Sequence, residues 1–240
     1  MDLVLITGHS SGLGAQLAQA YLDREATVIG MSRRSLNSKN PRLYQFHFDL
    51  SREGKWEDKL RESLPRQDWS RVILINSAGT IAPTNLFGAM EGVQISRSIE
   101  LNVSAPLRIM NIVTSVFKDK PLRIVNISSG AAKKAYQGWS VYCSSKAALA
   151  MASEVMAAEM ESLGRDVKVI SYSPGPIDTP MQAEIRKKKS DDFPGVEKFL
   201  KLHQEGALLS VEDAARDLMQ WIDDKSLPYF LEAQYQDRRK

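Results

Sequence analysis

Residues 3-LVLITGHSSGLGAQLAQAYL-22 pass from an unbroken apolar run, through a loop holding Gly8, Gly12 and Gly14, into a stretch with apolar residues at helical spacing. A short apolar strand followed at once by a glycine turn and a helix is the opening of an α/β unit. Glycine has no Cβ, so backbone N–H groups and a helix N-terminus can approach a pyrophosphate closely at such a loop, here over Gly8, Ser10, Ser11, Gly12, Leu13 and Gly14. The spacing is not G-x-G-x-x-G, and no Gly-Lys-Ser/Thr follows as in a P-loop. Taken alone, the loop also reads as a tight strand-to-helix turn.

Outward from this unit the same alternation repeats. Strands are expected at Leu3–Ile6, Thr27–Met31, Leu43–Phe48, Val72–Ile75, Arg123–Ile127, Val167–Tyr172 and Tyr229–Leu231. Helices are expected at about Leu13–Arg24, Glu53–Ser63, Val93–Phe117, Val141–Leu163 and Val211–Asp223. Seven strands alternating with helices predict an α/β fold, a doubly wound parallel sheet covered on both faces. No repeat, low-complexity tract or flexible linker divides the chain, so residues 1–240 are expected to form one domain. The longest stretch outside the alternation, about 176–210, follows the sixth strand. Ligands of such folds sit at the C-terminal ends of strands, so this insertion is placed to cover a site.

Composition narrows the function. With 32 basic and 29 acidic residues scattered over 240, the net charge of +3 offers no broad face for nucleic acid or membrane. The run Lys187–Lys189 reads as a solvated surface segment. One cysteine, Cys143, excludes an internal disulfide, and the three histidines His9, His47 and His203 are too dispersed to suggest a metal cluster. Cys143 has no histidine base near it in sequence and reads as a small packing residue. No secretory signal pattern and no run of 18 apolar residues is present, and a cytoplasmic protein is expected.

The end of the second strand points to a particular nucleotide. An acidic residue there would bond a ribose 2′-hydroxyl, whereas this chain has Ser32, Arg33 and Arg34. Arginine's fixed fork of donors suits a 2′-phosphate, so NADP(H) is expected as cofactor. Asp49 and Leu50 follow the third strand, where Asp49 can accept from an adenine amino group, and Asn76, Ala78 and Gly79 follow the fourth.

Thr7–Gly14, Asp49, 76-NSAG-79, Asn102, 126-NISSG-130, 142-YCSSK-146 and 174-PGPIDT-179 together resemble the short-chain dehydrogenases/reductases over essentially the whole chain. The resemblance implies a Rossmann-type fold with Ser129, Tyr142, Lys146 and Asn102 as catalytic residues. Ser129 is preferred to Ser128 because the family serine lies about thirteen residues before the tyrosine. Tyr142 would protonate the carbonyl oxygen as it accepts hydride, and Ser129 would hydrogen-bond the same oxygen. Lys146, one helical turn on, would lower the tyrosine pKa by its charge and hold the nicotinamide ribose. Asn102 would hold a water that returns protons to Lys146. The same resemblance places Pro174, Gly175, Ile177 and Thr179 against the cofactor. Ser11 stands where many NADP users carry a basic residue, which puts more weight on Arg33.

The stretches 129–149, 172–182 and 199–208 resemble the sepiapterin reductase group and, more closely, bacterial benzil reductases, which implies reduction of one carbonyl of a diketone-like or aromatic substrate. Trp139 and Met181, with Phe193, Phe199 and Leu202, either line a substrate pocket or pack the insertion on the domain. Glu232 matches a carboxylate that anchors pterin in the sepiapterin reductases. Two other readings stay open, a 3-ketoacyl-type reductase or alcohol dehydrogenase of the same family, and a catalytically silent NADP-binding module. By resemblance a homodimer or homotetramer is expected, paired through the two long helices.

Overall fold

Apolar residues at both odd and even positions of 2-DLVLIT-7 leave no polar face, which suits a strand buried from both sides. The computed structural model, which describes residues 1–52, 54 and 56–235, places this strand, β1 (Asp2–Thr7), at the middle of a seven-stranded parallel sheet. The other strands are β2 (Thr27–Ser32), β3 (Leu43–His47), β4 (Arg71–Asn76), β5 (Leu122–Ile127), β6 (Val167–Ser173) and β7 (Phe230–Gln234). Their order across the sheet is β3-β2-β1-β4-β5-β6-β7. The chain reverses direction at β1, so a crevice opens between the loops after β1 and β4, where ligands of doubly wound folds bind.

The pleat divides the core into two layers. Leu3 and Leu5 join Ile109, Val113 and Ala157 on one side, while Val4 and Ile6 join Leu17, Tyr21 and Leu218 on the other. The first layer is covered by helices α2 (Trp56–Ser63), α4 (Ala105–Val116) and α5 (Ser140–Ser162), with α3 (Gly92–Ile99) packed outside against α5. The second is covered by α1 (Gly12–Asp23) and, after α6 (Pro180–Arg186) and α7 (Val196–Gln204), by α8 (Val211–Ile222). A buried polar chain registers α5 against the sheet: Asn76 Nδ2 donates to Asn126 Oδ1 at 2.8 Å, Asn126 Nδ2 to Ser153 Oγ at 2.8 Å, and Ser153 Oγ to the Leu149 carbonyl at 2.7 Å.

The expected elements are present with ends shifted by a few residues, and one differs in kind. The helix expected over Val93–Phe117 widens at Glu100–Ser104, where the Ala105 N–H reaches back five residues to the Glu100 carbonyl. Pro106 gives the reason: its ring would strike the carbonyl four residues back in a regular helix, and it has no N–H to donate. The start expected for α2, Glu53, lies outside the described residues. The 176–210 segment is a closed excursion. Its neck is pinned where the Asp178 N–H donates to Leu209 O and the Leu209 N–H to Pro176 O, at 2.9 and 3.0 Å, with α6 and α7 between.

Candidate active site

The loops after β1, β2, β3, β4, β5 and β6 converge on a cleft of about 530 Å³. Its floor is the glycine loop. Gly8 and Gly12 have φ of +71° and +55°, which L side chains rarely adopt, and a Cβ on Gly8 would meet the Ala78 backbone at 3.0 Å. Thr7 Oγ1 fastens the loop after β4 by accepting from the Ser77 and Ala78 N–H groups, each at 3.0 Å. Thr179 caps α6 by accepting from the Gln182 N–H at 3.3 Å, and its Cγ2 lies 3.2 Å from where a Cβ on Gly12 would stand.

Of the expected cofactor residues, Gly8, Ser10, Ser11, Gly12, Leu13, Ser32, Arg33, Arg34, Asp49, Leu50, Ala78 and Gly79 line the cleft. So do Tyr142, Lys146, Pro174, Gly175, Ile177 and Thr179. Arg33 and Arg34 are exposed and make no ion pair among the described residues, so both guanidiniums have their donors free for an anion. Asp49 is partly engaged: its Oδ1 accepts from the Ser51 hydroxyl at 2.6 Å, and Arg52 pairs with Oδ2 at 3.4 Å. The Ser51 hydrogen bond comes first in holding this carboxyl below its usual pKa.

Three expected residues stand behind the lining. Gly14 serves packing, since a Cβ there would lie 2.5 Å from the Gly8 carbonyl oxygen. Asn76 is turned into the core, where it bonds Asn126. Asn102 is buried under Gly79, and its amide clasps Thr80 from both sides, Oδ1 accepting from Thr80 N at 2.9 Å and Nδ2 donating to Thr80 O at 2.8 Å. The same Nδ2 lies 3.2 Å from Ser145 Oγ on α5. The widened turn at Glu100–Ser104 carries this side chain.

The α5 residues Tyr142 and Lys146 both face the cleft, although α5 buries most of that helix face. Lys146 Nζ donates to the Ile127 carbonyl at 2.7 Å and stands 5.7 Å from the Tyr142 ring centre. Burial brings the Lys146 ammonium down to about 8. Burial likewise pushes the Tyr142 phenol up to about 12, against a hydrogen bond with Ser129 that favours the phenolate. Tyr142 is held as a phenol, the form that can give up a proton. Ser129, at the N-cap of a short turn after β5, accepts from the Ala131 N–H at 3.1 Å.

Beyond Tyr142 the cleft becomes aromatic. Trp139 stacks on Phe193 at 4.5 Å between ring centres, meets Tyr142 edge-on at 5.2 Å and tilts against Phe199 at 5.5 Å. Trp139, Met181, Tyr136 and Phe199 line the wall, whereas Phe193 is fully buried behind it and Leu202 lies outside the lining. Glu232 forms an ion pair with Lys133, and neither residue lines the cleft. Gln182, Ile185 and Ile81 also line the cleft and carried no recognisable signal in sequence.

Fold and site define a Rossmann-type oxidoreductase. The family described as short chain dehydrogenase matches residues 2–190, and the chain belongs to that family, whose members use a nicotinamide cofactor. It is 35% identical to "Benzil reductase ((S)-benzoin forming)" of Bacillus cereus, over 95% of this chain and 96% of that protein. It is 31% identical to a sepiapterin reductase of Bos taurus, over 92% of this chain and 90% of that protein. Among solved structures, that of the KRED1-Pglu enzyme shares the fold with a TM-score of 0.83 at 23% identity, covering 96% of this chain and 100% of the other. No described helix is long and apolar enough to cross a membrane.

Proposed function

We propose that this protein is an NADPH-dependent carbonyl reductase acting on one carbonyl of a diketone-like or aromatic substrate, as its benzil and sepiapterin reductase relatives are named. The observation that carries the reading is the meeting of Tyr142, Ser129 and Lys146 with an aromatic wall in the one cleft that also holds the glycine loop. Backbone N–H groups of Gly8–Gly14 would hold the pyrophosphate, and Arg33 and Arg34 the 2′-phosphate. When bound, the reduced nicotinamide supplies the hydride.

The chain's own residues do the rest. Ser129 and the Tyr142 hydroxyl hydrogen-bond the carbonyl oxygen and so fix the face it presents. Tyr142, protonated at neutral pH, delivers its proton as charge develops on that oxygen. Lys146, buried and bonded to the Ile127 carbonyl, would offer a donor to the cofactor ribose and keeps a positive charge near the phenolate that proton transfer leaves behind. Asn102 holds the Thr80 loop and α5 in register beneath them. Trp139 and Phe199 offer a flat surface to an aromatic ring and, with Tyr136 and the lid helices α6 and α7, keep water from the reacting carbonyl.

The test is consumption of NADPH with benzil, other 1,2-diketones and sepiapterin, with NADH in parallel. The expected result is turnover of aromatic diketones and a loss of about 10²–10⁴ in rate in Tyr142→Phe. Turnover undiminished in Tyr142→Phe, or a preference for NADH, would overturn the corresponding assignment. Assembly as a homodimer or homotetramer belongs to the same reading. It is supported by the exposed pair Met151 and Val155, one turn apart on α5. Glutamate at both positions is expected to shift the protein to monomer in sedimentation.

A further inference from the structure

We infer that His9 and Gln45 are positioning residues for the 2′-phosphate end of the cofactor, because they fasten the loop bearing Arg33 and Arg34 to the glycine loop. Gln45, on β3, pairs with the backbone of Leu36: the Leu36 N–H donates to Oε1 at 2.7 Å, and Nε2 donates to the Leu36 carbonyl at 3.3 Å. A backbone N–H only donates and a carbonyl only accepts, so the orientation of this amide is determined. Oε1 also receives His9 Nε2 at 2.8 Å, which puts the imidazole proton on Nε2. His9 is fully buried within the glycine loop.

Gly30 makes room for the arrangement. It lies opposite Gln45 in the β2–β3 register, and a Cβ there would approach His9 Nε2 at 2.5 Å and the ring carbons still more closely. A glycine in the middle of this buried strand therefore reflects the seat of the histidine ring. Leu36 follows Arg34 by two residues, and the guanidiniums of Arg33 and Arg34 have no ion pair among the described residues to hold them. Their place at the cleft thus depends on how the loop backbone is tied. Two further ties hold the loop: Ser32 Oγ donates to Arg34 O within it, and Ser35 Oγ lies 3.4 Å from His47 Nε2 on β3. The strand itself is joined to the glycine loop independently, by the Gly8 N–H donating to Met31 O at 2.8 Å. Loss of the His9–Gln45–Leu36 link should then loosen the arginine loop and leave the pyrophosphate cradle in place.

This inference rests on the assignment of Arg33 and Arg34 to the 2′-phosphate, and the two are separable by calorimetric binding of adenosine 2′,5′-bisphosphate and adenosine 5′-monophosphate. In Gln45→Leu, and in His9→Leu, which cuts the same link from the other side, affinity for the bisphosphate is expected to fall about tenfold. That is the equivalent of weakening one hydrogen bond to a charged group. In Gln45→Leu, which lies outside the glycine loop, affinity for the monophosphate should change less than about twofold, within ordinary mutational noise for an uninvolved site. Equal losses for both ligands in Gln45→Leu, or no loss in either variant, would overturn the positioning role. If instead the Arg33→Ala/Arg34→Ala protein binds the bisphosphate as the unaltered protein does, the phosphate assignment itself falls.

Discussion

Lys146 Nζ donates to the carbonyl of Ile127, the last residue of β5, at 2.7 Å, so the ammonium is held by the sheet that also presents Ser128 and Ser129. With burial bringing Lys146 down to about 8, its charge is complete below that pH and lost above it. Carbonyl reduction should accordingly decline above about pH 8 in kcat/KM, which reports groups of the free enzyme. Lys146→Arg, charged at every accessible pH, should lose this alkaline limb at whatever lower rate it retains. A limb unchanged in Lys146→Arg would mean that another group titrates.

The same burial has a consequence for folding. Lys146 ionises at about 8 in the folded chain against 10.5 for a free lysine, so between these values the unfolded state binds more protons and stability rises with pH. Tyr142 acts in the opposite sense. Its phenol moves from 10.0 to about 12, so the folded state holds more protons in that window and stability is lost as pH rises through it. The unfolding midpoint should gain from pH 8 to 10 and then flatten or fall. In Lys146→Met the gain should shrink, a comparison within one buffer series that cancels contributions common to both proteins.

Gly14 and Gly130 offer a matched pair. A Cβ on Gly14 would stand 2.5 Å from the Gly8 carbonyl oxygen, backbone that can move only by opening the turn, whereas one on Gly130 would meet nothing within 4 Å. Gly14→Ala is expected to cost about 1–3 kcal/mol, the usual range for overpacking. It should also weaken nucleotide binding, because the displaced residue is Gly8. Gly130→Ala should be within about 0.5 kcal/mol of the unaltered protein. Denaturant unfolding of both, with NADPH titration, checks the pair.

How much of this was legible in sequence depends on distance along the chain. The glycine loop, the second-strand arginines and the Tyr142/Lys146 spacing are local patterns, and local geometry carries them to the cleft. Asn76 sits in an equally recognisable stretch, yet its side chain is taken by Asn126, fifty residues on, a pairing that only the register of β4 and β5 creates. Glu232 pairs with Lys133 across 99 residues, and His9 reaches Gln45 on β3 across the intervening strand β2. The widened turn that bears Asn102 was hidden because apolar periodicity over Val93–Phe117 continues through it, and only Pro106 hinted at an interruption. Long-range polar partners leave no periodic trace, so side chains expected at a site are most exposed to reassignment there.

Asn126 tests the buried chain directly. Its amide accepts from Asn76 and donates to Ser153, with no exposed surface. Asn126→Leu leaves the Asn76 donor without its acceptor, at a cost of about 1–3 kcal/mol, or roughly 2–4 °C in midpoint for each kcal/mol in a chain of this size. Ser153 keeps its bond to the Leu149 carbonyl, so α5 should remain helical. Because Asn126 precedes the Ser128–Ser129 turn by two residues, kcat should fall more than KM rises. A loss of stability with kinetics untouched would confine the chain to folding.

Trp139 separates packing from recognition on the substrate side. Its ring is stacked on Phe193 and meets Tyr142 edge-on, so removing it altogether would open a cavity costing about 3–5 kcal/mol and blur any kinetic reading. Trp139→Phe keeps an aromatic face on Phe193 with less reach, and Trp139→Leu fills space without one. An aromatic contact of this kind contributes about 0.5–1.5 kcal/mol beyond its area. Relative to a small aliphatic diketone such as 2,3-butanedione, benzil should therefore lose about two- to tenfold in kcat/KM in Trp139→Leu. The loss in Trp139→Phe should be smaller. The aliphatic substrate acts as an internal control, since disturbance of Tyr142 would depress both substrates alike. A parallel loss for the two diketones would assign Trp139 to holding Tyr142 and leave the recognition of aromatic rings to Phe199 and Tyr136.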